Sequence, residues 1–193
     1  MSTAALQVTE SSVLRLDELE VEPVAALLAD YGLQLARVAC GQAIPGSYWG
    51  EPEAGVIGNV VYARGDTPVH SLLHEACHLI VLPDDRRARI HTDASDSIEE
   101  EDATCYLQIL LADALPGMGR ARMCADMDAW GYSFRLGSAR AWFEHDATEA
   151  ADFLRNRGLP HESAGANRHN SPSSPEEGHS CRPSSRAQLQ SPA

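Results

Sequence analysis

Two rhythms of apolar and polar positions run along this chain, and the helical one is the sharper. Leu72, Leu73, Ala76, Leu79 and Ile80 recur at helical spacing between Thr67-Pro68 and Pro83. That pattern predicts a helix from Pro68 to Leu82, with Thr67 as N-cap, Pro68 at the first helical position and Pro83 as its stop. Ala103, Tyr106, Leu107, Leu110, Leu111 and Ala114 repeat the spacing and predict a second long helix from Ile98 to Ala114. Glu99 to Asp102 open it, where negative charge suits the positive end of the helix. Shorter helices are expected over Glu22 to Tyr31, bounded by Pro23 and Gly32, over Met118 to Trp130 and over Ser138 to Phe143. A last one follows the capping-box pattern Asp146-Ala147-Thr148-Glu149 and ends at Gly158. The two-residue rhythm marks Leu33 to Ala39 and the β-branched stretch Val56 to Ala63 as strands. Residues 1 to 15 carry no firm pattern. Gly41 to Glu53 reads as an irregular loop whose Tyr48 and Trp49 either cover the edge of a small core or floor a cleft. Trp130, Trp142 and Phe143 are expected in the core.

Composition narrows the class. With 193 residues, 44% of them hydrophobic, the chain suits one domain with a sizeable core, placed at residues 1 to 160. Beyond Pro160 it turns to Ser, Pro, Asn, Gly and Arg, and residues 161 to 193 are expected to form a disordered tail that cannot bury enough apolar area to offset its ordering entropy. The formal charge of −13 lies on the domain, because Glu162, Glu176 and Glu177 in the tail balance Arg168, Arg182 and Arg186. Such a surface repels phosphate backbones, so direct nucleic-acid binding is not expected and a basic protein partner suits it better. No basic leader and no run of 18 apolar residues is present, so neither a signal peptide nor a membrane span is expected and a cytoplasmic location is. Five cysteines, an odd number with no C-x-x-C pair, fit reduced thiols. Cys77, between Leu73 and Ile80 on the helix, should be a buried small hydrophobe.

The candidate chemistry sits on the first long helix, as His74-Glu75-Ala76-Cys77-His78. Two histidines four apart on a helix stack on one face and bring both imidazoles to one metal ion. Glu75 beside them can act as general base toward a water that a zinc ion acidifies. A third protein ligand is still required for a catalytic site. The metzincin extension fails, because Val81 stands where that pattern has Gly and Pro83 follows. A glutamate on the next helix is the remaining common solution. Successive helical residues point about 100° apart, so at most one of Glu99, Glu100 and Glu101 can face the metal. Ala103, Leu107 and Leu110, at three, seven and ten residues beyond, put Glu100 on the buried stripe.

His74 to Leu79, followed by Glu100, Ala103, Tyr106, Leu110 and Leu111, resembles the IrrE/ImmA-like zinc peptidases, gluzincins in which H-E-x-x-H is followed by E-x-x-A-[ND]-x-F-A and a leucine-rich helix. The likeness spans roughly residues 55 to 115. Thr104 replaces the family's Asn or Asp, Leu107 its Ala, and Asp113 a frequent Pro. The resemblance implies an α+β zincin-like fold: a small mixed or antiparallel sheet packed on the metal helix and a glutamate helix, with a helical C-terminal half. It implies Zn²⁺ held by His74, His78 and Glu100, Glu75 as catalytic base, and a peptide or protein substrate such as a transcriptional repressor cut at one site. His70, His91, Tyr106 and Thr104 are left as candidates for orienting the ligands or stabilising the oxyanion. The competing expectation is a non-catalytic zincin-like module, with a structural metal in a shell closed by Cys77, His91 or Asp93 and an acidic face for its partner.

Overall fold

The helix that carries the two histidines is buried along its whole length, and the other elements are arranged around it. The computed structural model describes residues 12–47, 50, 52–87, 89 and 97–162. Its elements run α1 (Val21–Asp30), β1 (Gln34–Arg37), β2 (Gly55–Ile57), β3 (Val60–Ala63), α2 (Val69–Val81), α3 (Asp84–Arg87), α4 (Ile98–Leu111), α5 (Gly119–Trp130), α6 (Ala139–His145) and α7 (Thr148–Asn156), with single 3-10 turns at Leu16–Glu18 and Ala112–Ala114. The fold is mixed α+β with a small mixed sheet and a helical C-terminal half. Tyr48, Trp49, His91, Asp93 and residues 163 to 193 lie outside the described residues, and so do the expectations placed on them. No helix among the described residues is long and apolar enough to cross a membrane.

The stretch Val56 to Ala63, expected as one strand, is a hairpin. Gly58-Asn59 forms its two-residue turn, with Gly58 at φ 60° where a side chain would be strained. The sheet order is β1-β3-β2, with β1 parallel and β2 antiparallel to the central β3. Zinc peptidases often bind substrate as an added strand on such an edge. Here the outer edge of β2 is already taken: Val56 N–H donates to the Gly46 carbonyl (3.3 Å). A Cβ on Gly55 would lie 2.2 Å from the Pro45 carbonyl oxygen, so only glycine lets that loop approach.

All thirteen residues of α2 are buried. The sheet lies against it and α4 runs alongside, with α5 and α7 packed on α4. Helix starts differ from the sequence expectation in detail. Pro68, not Thr67, holds the N-cap position of α2, and Thr67 Oγ1 instead accepts from Arg64 N–H (2.9 Å) to close the preceding turn. Ser97 caps α4 by accepting from Glu100 N–H (3.2 Å). Asp146 does not cap α7 as expected: it ends α6 as its C-cap, and its carboxylate is paired with Arg135 (2.7 Å). Trp142 is buried in the core, whereas Trp130 is only half-buried and donates to Glu53 Oε1 (2.9 Å).

Segment 13–17, without a pattern in sequence, is fastened beside the start of α2. Leu16 N–H donates to the Thr67 carbonyl (3.0 Å) and Val69 N–H to the Leu14 carbonyl (2.9 Å). The fully buried Asp126 of α5 accepts from Leu14 N–H (2.9 Å) and from Arg122 Nε (2.6 Å). Asp126→Ala strips an acceptor from two donors at once, and should cost about 3 kcal/mol. For a domain of this size that is a fall of roughly 6–12 °C in melting temperature, measurable by calorimetry. A change under 2 °C would contradict this account of how the N-terminal segment is held.

Candidate metal centre

His74 and His78, one turn apart on α2, hold their Nε2 atoms 3.0 Å from each other. Glu101 of α4 faces both, with Oε1 3.4 Å from His74 Nε2 and Oε2 3.5 Å from His78 Nε2. Donor atoms sharing one tetrahedral zinc ion, at about 2.0–2.2 Å from it, lie roughly 3.3 Å apart, so the two rings and the carboxylate stand close to the spacing an ion needs.

The far sides of both rings are occupied. His74 Nδ1–H donates to Gln108 Oε1 (2.7 Å), whose amide nitrogen in turn donates to Met123 Sδ (3.5 Å). His78 Nδ1 lies 3.3 Å from Thr104 Oγ1. Each pair is four residues apart on its own helix, and they meet in opposite order because α2 and α4 run antiparallel. Such contacts fix ring orientation and leave Nε2 as the outward donor, the usual arrangement around histidine ligands. Gln108→Leu keeps the volume and removes that acceptor. Metal affinity should drop about 10–100-fold, as titration against a chromophoric chelator would reveal. An unchanged affinity would show that Gln108 only fills space.

Burial and the neighbouring His74 push His78 down to about 3, so its ring is neutral. His74 is pushed up instead: burial opposes this, but Cys105 and Glu101 beside it outweigh that cost. A proton held in this group is what a bound cation would displace. Cys105, one turn after Glu101, completes the picture: ligand atoms of His74, Glu101 and Cys105 all lie within 4.8 Å of one another, and all three residues are buried. This buried group could hold a metal ion.

Glu75 lines a narrow cleft with Glu53, His70, Ser71, His74, Trp130 and Tyr132, wide enough for about one water molecule. Tyr132 meets the His74 ring near perpendicular at 5.5 Å. Burial, reinforced by acidic groups around it, keeps its hydroxyl protonated well beyond the ordinary range.

The sequence expectations divide here. The structure brings His74, Glu75 and His78 together, and Thr104 reaches the His78 ring. Glu100 is not the acid brought to the histidines. It is clasped by Arg86 of α3 (2.7 and 3.3 Å), with Arg157 3.7 Å away, and Glu101 takes the place expected for it. Tyr106 is also displaced from its expected role, since its ring stacks on Phe143 (4.7 Å) and packs against Trp142. His70 is fully buried beside the cleft between Trp130 and Tyr132, with no hydrogen-bond partner for either ring nitrogen among the described residues. Burial pushes it down to about 3, so it stays neutral. Cys77 is buried, as expected, and burial pushes its thiol well above the ordinary range.

Gln108, Cys105 and Tyr132 were missed. For the first two a signal existed: Glu101, Thr104, Cys105 and Gln108 form a strip at intervals of three, one and three in a helix whose other positions beyond Asp102 are apolar or aromatic. Nothing in the local pattern around Tyr132 marks it, because the turn after α5 delivers it to the cleft. Comparison with family models, with curated proteins and with solved structures yields no match.

Proposed function

We propose that this chain is a zinc-dependent hydrolase of peptide bonds, in which His74, His78 and Glu101 are the metal ligands and Glu75 is the general base. The observation that carries this reading is the convergence of two imidazole Nε2 atoms and one carboxylate within 3.5 Å, with the far nitrogen of each ring engaged. Zinc bound there would supply a Lewis acid for the scissile carbonyl and lower the pKa of water. Glu75 borders the same cleft and is suited to take the proton that water gives up and to hand it to the leaving amine. Tyr132, kept neutral by burial, has the donor that a developing oxyanion needs.

The resemblance to IrrE/ImmA-like peptidases supports a regulatory protein, such as a transcriptional repressor, as substrate, and the formal charge of −13 favours a basic one. Because the outer edge of β2 is occupied by the loop at Gly46, a substrate strand would not pair there, and the narrow cleft bordered by Glu75 is suited to hold the attacking water.

The test is metal analysis of the purified protein, followed by incubation of the zinc-loaded protein and its Glu75→Gln variant with candidate repressors. Cleavage by the wild type alone is expected. Tight zinc binding with no cleavage of any repressor or unstructured protein would favour a second reading, a binding module with a structural metal. The observation behind that second reading is Cys105, near enough to His74 and Glu101 to close the shell.

A further inference from the structure

We infer that Cys105 is a fourth donor to the metal, so that the site at rest is closed by His74, His78, Glu101 and a thiolate. This rests on the metal reading above and adds to it a softer ligand set than two histidines and a glutamate alone provide.

Three observations lead there. Cys105 follows Glu101 by four residues on α4, so its sulfur and the carboxylate share one helix face, and that face is turned to α2. Its sulfur, a His74 ring nitrogen and a Glu101 oxygen lie within 4.8 Å of one another in a fully buried setting. With zinc–sulfur and zinc–nitrogen bonds of about 2.3 and 2.0 Å, sulfur and nitrogen in one tetrahedral shell stand roughly 3.6 Å apart, so Cys105 would have to draw closer on metal binding, and His78 joins the group through its 3.0 Å approach to His74. The other described thiols have no such surroundings. Cys77 lies between Leu73 and Ile80 on α2, Cys40 is exposed, and Cys124 belongs to α5, where burial pushes its thiol up to about 12.

Four protein ligands make the arrangement of a structural zinc site, whereas a catalytic site keeps one position for water. If the chain hydrolyses peptides, Cys105 must yield its place when substrate and water enter. Thiolate ligation also selects among cations: it favours zinc over magnesium, calcium or manganese, which prefer all-oxygen shells.

Cobalt(II) added to the metal-free protein provides the test, because a cobalt-bound thiolate gives an intense near-ultraviolet charge-transfer absorption that imidazole and carboxylate do not. The wild type and Cys77→Ala should show this band. Cys105→Ser, which preserves side-chain volume, and Cys105→Ala should lose it, and their affinity for cobalt should fall at least 10-fold while melting curves without metal stay close to wild type. Absence of the band in the wild type would overturn the proposal even if both Cys105 variants failed to fold. Persistence of the band in Cys105→Ser would overturn it too. Hydrolysis is read separately: a protein that shows the band and cuts nothing defeats the enzyme reading and leaves Cys105 as a ligand, and a protein that cuts without the band does the reverse.

Discussion

Glu101→Ala is expected to lower zinc affinity by more than about 100-fold, beyond the 10–100-fold that loss of an outer hydrogen-bond partner costs, while Glu100→Ala leaves it nearly unchanged. The two glutamates are neighbours in sequence and nearly equal in burial, at 8% and 6% exposed, so the contrast isolates direction from burial. Glu101 spans the gap to both Nε2 atoms, and its removal leaves two imidazoles to hold the cation with one fewer negative charge. Glu100 is occupied by Arg86 and lies near Arg157, so its loss should appear as destabilisation of about 1–3 kcal/mol through unpaired guanidinium groups. Thermal melts separate the effects. Zinc at about 100 times its Kd should stabilise the wild type and Glu100→Ala by about 2.7 kcal/mol. That corresponds to roughly 5–11 °C for this size, and Glu101→Ala should show almost none of it. A zinc-dependent shift that survives in Glu101→Ala and vanishes in Glu100→Ala would reinstate the acid chosen by sequence periodicity.

That periodicity misled for a physical reason. Counting from Ala103, Leu107 and Leu110 looks for one face that leaves water, but on α4 burial extends nearly all round: between Glu100 and Leu111 only Asp102 and Leu110 itself are half-buried, and the rest are buried. A stripe argument presumes one buried face. On a helix enclosed by α2, α5 and α7, burial no longer discriminates, and what distinguishes two buried acids is which partner each meets. Arg86 comes from α3, across a stretch whose contacts no local pattern foretells. The histidine pair, by contrast, was legible, because the i, i+4 relation is set by one helix alone. The major helices were legible for the same reason, within a residue or two at their ends, except that α4 stops at Leu111 and the 3-10 turn Ala112–Ala114 follows where the helix was expected to continue. The hairpin was missed although Gly58-Asn59 is a two-residue turn signal, since the β-branched residues flanking it read as continuous. The role of Asp126 and the occupation of the β2 edge depend on segments far apart in the chain, and no window of residues contains them.

Glu75→Gln is expected to bind zinc within a few-fold of wild type and to lose hydrolysis by about 10²–10⁴-fold in kcat, the range that a positioned general base contributes. Glu75 follows His74 by one residue, so it projects about 100° around the helix from the ligand direction, toward the cleft it shares with Tyr132 and Trp130. It is mostly buried, and glutamine matches its shape, so packing and melting temperature should hold. What changes is basicity. An amide cannot take the proton from water at neutral pH or deliver one to the departing amine, and both steps of the reaction stall together. The loss should therefore fall on kcat, with KM for a peptide substrate little altered, because Glu75 contributes to the reacting proton and not to holding the peptide. Loss of zinc along with activity would assign Glu75 to the ligand set instead. Equal rates for Glu75→Gln and wild type on the same peptide would remove hydrolysis by this cleft altogether, leaving the buried cluster of His74, His78, Glu101 and Cys105 to be explained by structure alone.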